Sequence, residues 1–134
     1  MGQWGVSSYD NDAASDALDA AFERIHGSAY EDLMDDRNPL SVDQVHARLA
    51  NPETLAEAVA KLRRDFGPDL DEWDDEARLA LAGIVVRHAE LGVAIPDELR
   101  RQALAWLEGE AIEWHEATLR RLRREAEIAL LGRA

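Results

Sequence analysis

The sequence predicts an all-α protein, a single compact bundle-like domain of five or six helices with an ordered N-terminal segment. Three observations lead there. Glycine, proline and capping residues divide the chain into pieces of helical length. Within each piece the apolar residues recur at steps of three and four, and no stretch alternates strictly between apolar and polar as a half-buried strand does. With 134 residues and 46% hydrophobic composition, one domain spanning 1–134 can bury a core without a metal or a disulfide.

The first helix is predicted to start near Asp12. Asp10, Asn11 and Asp12 can all serve as its N-cap, Ala14, Leu18, Ala21, Phe22 and Ile25 form its apolar face, and Gly27 stops it. The stretch YEDLMDD adds a helical turn or two before Asn38-Pro39 forces a break. Ser41 and Gln44 then read as a capping box, with Leu40 and Val45 placed as a hydrophobic staple, opening a helix to about Ala50. Asn51-Pro52-Glu53 repeats the start signal, with a cap, a proline at the first helical position and an acid at the positive end of the helix dipole. Leu55, Ala58, Val59 and Leu62 form that helix's inner face until Gly67-Pro68.

The next helix rises from the acidic run Asp71 to Glu76, carries Trp73, Ala77, Ala80, Leu81, Ile84, Val85, His88 and Leu91, and ends at Gly92. From Pro96-Asp97-Glu98 the pattern is helical to about Leu131. Its stripe changes phase at Gly109, from Leu99, Ala103, Trp106 and Leu107 to Ile112, His115, Leu119, Leu122, Ala126 and Ala129, so a kink or a break is expected there. The second stripe follows steps of three and four beside Arg120, Arg121, Arg123 and Arg124. It either packs within the monomer or forms the seam of a homodimer through the C-terminal helix.

Composition narrows function. A net charge of −13 opposes sequence-independent binding to nucleic acid, where basic side chains must displace counterions from phosphates. The absence of cysteine removes disulfides, thiolate metal sites and thiol nucleophiles and suits a reducing, cytoplasmic setting. The densest apolar stretch, LALAGIVV, has the length of a core helix rather than a membrane span, and no secretion signal is expected. The charge is also lopsided: residues 1–98 hold 22 acids and 8 bases, a net of −14, whereas residues 99–134 hold 6 acids and 7 bases, a net of +1.

The opening stretch MGQWGVSSYDNDAASD is unusual for a terminus. Gly2 and Gly5 let the backbone turn around Trp4, and Tyr9 precedes a capping cluster, so the segment is expected to be tied down, with Trp4 plugging the bundle. Met1-Gly2, Trp4-Gly5, Asp10-Asn11-Asp12, Ala14 and Asp16 resemble the start of a bacterial domain-of-unknown-function family whose members open with MGxWGxxxFDNDxAxD, Tyr9 standing where phenylalanine is usual. The likeness covers about sixteen residues. It implies a small bacterial helical domain and no reaction.

Other constellations are weak. Asp10, Asn11, Asp12 and Asp16 offer hard oxygen ligands for calcium or magnesium, but an EF-hand loop would need glycine at Ser15 and glutamate at Ala21, and capping by Asp10 or Asp12 explains the cluster more simply. Glu23/His26 and Asp43/His46 have the carboxylate-x-x-histidine spacing of di-iron bundles, at close to the frequency chance supplies among 28 acids. Glu110, Glu113 and Glu116, with Glu72 and Asp75, form the carboxylate sets of the alternative function, a metal-dependent hydrolase such as an all-α nucleotide pyrophosphatase. His88 and His115 lie on apolar stripes, where a histidine is usually a satisfied core residue. No phosphate loop, serine elbow or zincin motif occurs, and no catalytic, cofactor-binding or metal residue is assigned.

The reading the sequence favours is a non-catalytic acidic interaction module, of adaptor, inhibitor or immunity type, with a basic protein partner, no cofactor, no direct nucleic-acid binding and no membrane contact. Its expected partner surface is Asp71, Glu72, Trp73, Asp74, Asp75 and Glu76. The surrounding stretch DFGPDLDEWDDE holds seven acids and no base: either the acids favour the following helix's N-terminus and Phe66 and Trp73 point inward, or Trp73 is the aromatic anchor of the partner surface.

Overall fold

The computed structural model describes residues 5–112, 114 and 116–133, with the backbone alone at 133. Among them the chain forms seven α-helices and no strand: α1 (Asp12–His26), α2 (Ser28–Met34), α3 (Val42–Leu49), α4 (Pro52–Phe66), α5 (Asp75–Glu90), α6 (Asp97–Gly109) and α7 (Ala117–Arg133). The count exceeds five or six because Ser28–Met34 is a full helix, entered directly from Gly27 at φ 54. The expectations for Trp4, Gly2, Glu113 and His115 lie outside the described residues.

Local signals set most boundaries. Asn11, rather than Asp10 or Asp12, caps α1: its Oδ1 accepts from Ala14 N at 2.9 Å and its amide donates to Ser8 O at 2.7 Å. Both capping boxes close, Ser41 with Gln44 and Asn51 with Thr54. Asp74 caps α5, and Gly67 and Gly92 take the positive φ that ends α4 and follows α5.

The core is built around α5, which packs against α1, α4, α6 and α7. Residues Leu81 to His88 are all buried, and a helix apolar on every side belongs at the centre. Phe22 of α1, Leu55 and Leu62 of α4 and Leu107 of α6 pack around it. Gly83 has a particular task. The Ser8 backbone crosses α5 so closely there that any β-carbon would run into the Ser8 carbonyl. The backbone at Ser8 and Tyr9 is therefore held against α5.

The C-terminal region breaks where the stripe changes phase, with α6 ending at Gly109 and α7 starting at Ala117. The orientation of α7 reverses the expectation of packing within the monomer. Leu119 and Leu122 are 52% and 61% exposed and Ala126 and Ala129 face solvent, while Arg120 and Glu127, two turns apart, are sealed inside with Leu131. Arg120 explains the inversion. All five of its N–H donors are used: Nε and Nη2 donate to Glu110 at 3.3 and 2.7 Å, Nη1 to Val6 O at 3.0 Å and to Glu127 at 2.9 Å, and Nη2 also to Ser8 Oγ at 3.0 Å. Glu127 in turn accepts from the Ser8 backbone and hydroxyl, and the Trp114 ring lies 4.4 Å from the guanidinium carbon.

Replacing Arg120 with Met leaves two carboxylates and a serine buried without their cation. Arg120→Met should lower the unfolding free energy by roughly 3–5 kcal/mol, the usual cost of breaking a buried ion pair on one side. Urea denaturation followed by circular dichroism measures it. A midpoint equal to that of the native chain would show that the cluster is not sealed.

Candidate functional site

The predicted partner surface is only partly assembled as expected. Asp71, Glu72, Asp74, Asp75 and Glu76 are exposed, and none of them forms an ion pair among the described residues. Trp73 is not their anchor. It is 4% exposed, packs against Phe66 and donates its indole N–H to Gly67 O at 2.8 Å, because the turn at Leu70–Glu72 directs it back under the end of α4. Asp69 and Asp74 serve the backbone, accepting from Asp71 N and Ala77 N. The one base in this neighbourhood, Arg78, gives its Nη2 to the carbonyls of Leu70 and Asp71 rather than to a carboxylate.

Beside these acids lies a groove of about 350 Å³ lined by Leu70, Asp71, Arg78, Gln102 and Trp106. Trp106, half-buried on α6, takes the place expected of Trp73. Its indole N–H and the Gln102 side-chain carbonyl have no hydrogen-bond partner among the described residues. Both atoms are buried from solvent beneath the groove surface.

The carboxylates of the hydrolase alternative are not brought together. Glu110 is committed to Arg120, whereas Glu72, Asp75 and Glu116 are exposed. Glu23 faces solvent while His26 holds Leu49 O, and Asp43 and His46 both engage Arg87. Among the described residues no group of three or more histidines and carboxylates is placed to hold a metal, the Asp10, Asp12 and Asp16 cluster included. His88 is a core residue with both ring nitrogens used: Nδ1 donates to Ile84 O at 2.9 Å and Nε2 accepts from the Thr54 hydroxyl at 2.8 Å.

A second site was not foreseen. The N-terminal segment, α1, α2, α3 and α5 enclose an open cleft of about 440 Å³. Arg87 reaches it from α5, donating from Nη2 to Asp43 at 2.6 Å and from Nε to His46 Nδ1 at 3.2 Å, with its guanidinium 5.1 Å from the Tyr9 ring centre. His46 stacks on Phe22 with ring centroids 4.5 Å apart. Burial, reinforced by the Arg87 charge, pushes its pKa down to about 4. The imidazole is therefore neutral near pH 7, and because Nδ1 accepts from Arg87 its proton sits on Nε2. Such a histidine donates a hydrogen bond and cannot act as a base through Nε2. Across the cleft the Tyr30 hydroxyl donates to Asp19 at 2.6 Å, and burial followed by that hydrogen bond raises the phenol's pKa.

Sequence reasoning missed the cleft because five separate segments build it. The one local trace was the pairing of Asp43 with His46 on a single helix face, which Arg87 rather than a metal completes. Compared with protein families, curated proteins and solved structures, the chain matches none.

The buried imidazole fixes a pH dependence. Between pH 6.5 and about 4 the unfolded chain protonates this histidine and the native state does not, so stability falls as pH drops through that window. The loss attributable to His46 reaches roughly 3 kcal/mol at its lower end. His88, also lowered by burial, acts in the same direction. Urea midpoints at pH 7.5 and 4.5 should differ less in His46→Gln than in the native chain. Equal differences would place the dependence elsewhere.

Proposed function

We propose that the protein is a non-catalytic acidic interaction module, of adaptor, inhibitor or immunity type, that engages a basic protein partner in the cytoplasm. One observation carries this reading: five exposed carboxylates, Asp71, Glu72, Asp74, Asp75 and Glu76, stand without an ion-pair partner among the described residues, and Asp71 lines a groove that presents Trp106. Uncompensated like charges repel one another, and a cationic surface relieves them. Charge of this kind speeds encounter, while a half-buried aromatic supplies lasting contact. The likeness of residues 1–16 to the bacterial family belongs to the same proposal and adds no reaction to it.

The test uses Asp71→Asn, Asp74→Asn and Asp75→Asn together. Asparagine caps a helix as well as aspartate, so α5 keeps its start while three charges go. A tagged native chain should recover a protein from native lysate at low salt and release it at high salt, and the triple variant should recover at most a tenth as much. Equal recovery by both chains, insensitive to salt, would remove this surface from consideration.

A second reading is favoured by α7. Its outward stripe of Leu119, Leu122, Ala126 and Ala129 is apolar, lies in the one region that is not strongly acidic, and is flanked by Arg121 and Glu125, opposite charges that two antiparallel copies could exchange. A homodimer through this helix follows. Sedimentation at high micromolar concentration should show a dimer in the native chain and a monomer in Leu122→Glu. A native chain that remains monomeric at that concentration ends the dimer reading.

A further inference from the structure

The cleft between α1, α2, α3 and the N-terminal segment has the makings of a ligand site distinct from the acidic groove. Arg87 and Asp43 cancel each other on one wall, joined at 2.6 Å. Asp10, Asp16 and Asp19 also line the cleft, and none of them is in an ion pair among the described residues. Asp10 accepts only the Ser7 backbone N–H and Asp19 the Tyr30 hydroxyl. The opening thus carries three uncompensated negative charges beside two tyrosine rings, Tyr9 and Tyr30.

The wall also holds a donor. His46 is only 6% exposed, its Nδ1 is occupied by Arg87, and its Nε2–H has no partner among the described residues. Held in one tautomer on a side chain that lines the cleft, this N–H is left to donate to an acceptor there, and the carboxylates of Asp16 and Asp19 are not bonded to it. Leu18, Met34 and Val42 supply an apolar floor for a short aliphatic stem. The volume, about 440 Å³, falls within the range of small-ligand pockets.

We propose that this cleft binds a cationic amino-acid unit, an arginine or lysine residue, with its guanidinium or ammonium among Asp10, Asp16 and Asp19 and its neutral carbonyl oxygen accepting from His46 Nε2–H. The cation is stabilised by three carboxylates. The carbonyl satisfies the donor that Arg87 orients. A neutral residue gains only the second contact and a bare amine only the first, so recognition requires both groups on one stem. The unit can arrive free or as part of a peptide, and both present the same chemistry.

Isothermal titration of the full chain with N-acetyl-arginine amide, n-butylguanidine and N-acetyl-glutamine amide tests the proposal. The arginine amide should bind, n-butylguanidine, which has the same single charge and lacks the carbonyl, should bind about fivefold more weakly, the value of one hydrogen bond, and the glutamine amide should not bind. A tripeptide with arginine at its centre, compared with the free amide, distinguishes a peptide source from a free one. Asp16→Asn with Asp19→Asn keeps the acceptor for Tyr30 while removing two charges, and should weaken the arginine amide at least tenfold with the circular dichroism spectrum unchanged. The Asp71, Asp74 and Asp75 triple variant should bind it as the native chain does, so loss of the acidic groove and loss of the cleft read out separately. Absence of binding at millimolar arginine amide, or equal binding of the glutamine amide, overturns the proposal.

Discussion

Arg120 is the interaction on which the rest of the structure depends. A guanidinium removed from water is costly unless every donor is answered, and here the answering groups come from three places: Val6 and Ser8 of the N-terminal segment, Glu110 after α6, and Glu127 of α7 itself. The requirement fixes geometry more than it adds stability. An apolar contact would tolerate a rotation of α7, but five directed hydrogen bonds do not. Once the helix is set with Arg120 inward, its other face carries Leu119 and Leu122 to solvent whatever their hydrophobicity.

The same cluster places the cleft. Ser8 is held by Glu127 and Arg120, and its backbone lies across Gly83. The next residue, Tyr9, is thereby set between two guanidinia, 5.1 Å from Arg87 and 5.7 Å from Arg123. Asp10 and the cap Asn11 follow, bringing the start of α1 and its Asp16 and Asp19 to the cleft. Two cations from different helices, buried Arg87 and half-buried Arg123, therefore share one aromatic ring. The terminus that looked too elaborate to be frayed is the strip that joins the latch to the site.

The fold was legible where local chemistry decides. The capping boxes at Ser41 and Asn51, the stops at Gly27, Gly67 and Gly92, and the apolar run Leu79–Val86 within α5 follow from residues within a few positions of one another. What was not legible depended on distant partners. Periodicity on α7 marks an apolar stripe and assumes that it faces inward, and no signal near Arg120 announces the carbonyl of Val6 or the carboxylate of Glu110. An aromatic among acids reads either as an anchor or as a core residue, and only the Leu70–Glu72 turn, which directs Trp73 to the Gly67 carbonyl, decides between them. The cleft, drawn from five segments, has no signature in any one of them.

The inward arginines leave the exterior as acidic as the composition conveys, because buried carboxylates answer them. The buried ionised groups among the described residues are Arg87, Arg120, Glu110 and Glu127, whose charges cancel. The interior is therefore neutral, and the net charge of −13 is borne by the surface. Self-repulsion on that scale opposes close approach of two copies at most places. Approach is least opposed where acids and bases balance, and residues 99–134, which contain α7 and its apolar stripe, are that region. In the proposed homodimer, two copies meeting on α7 would therefore escape the repulsion that the acidic body imposes elsewhere.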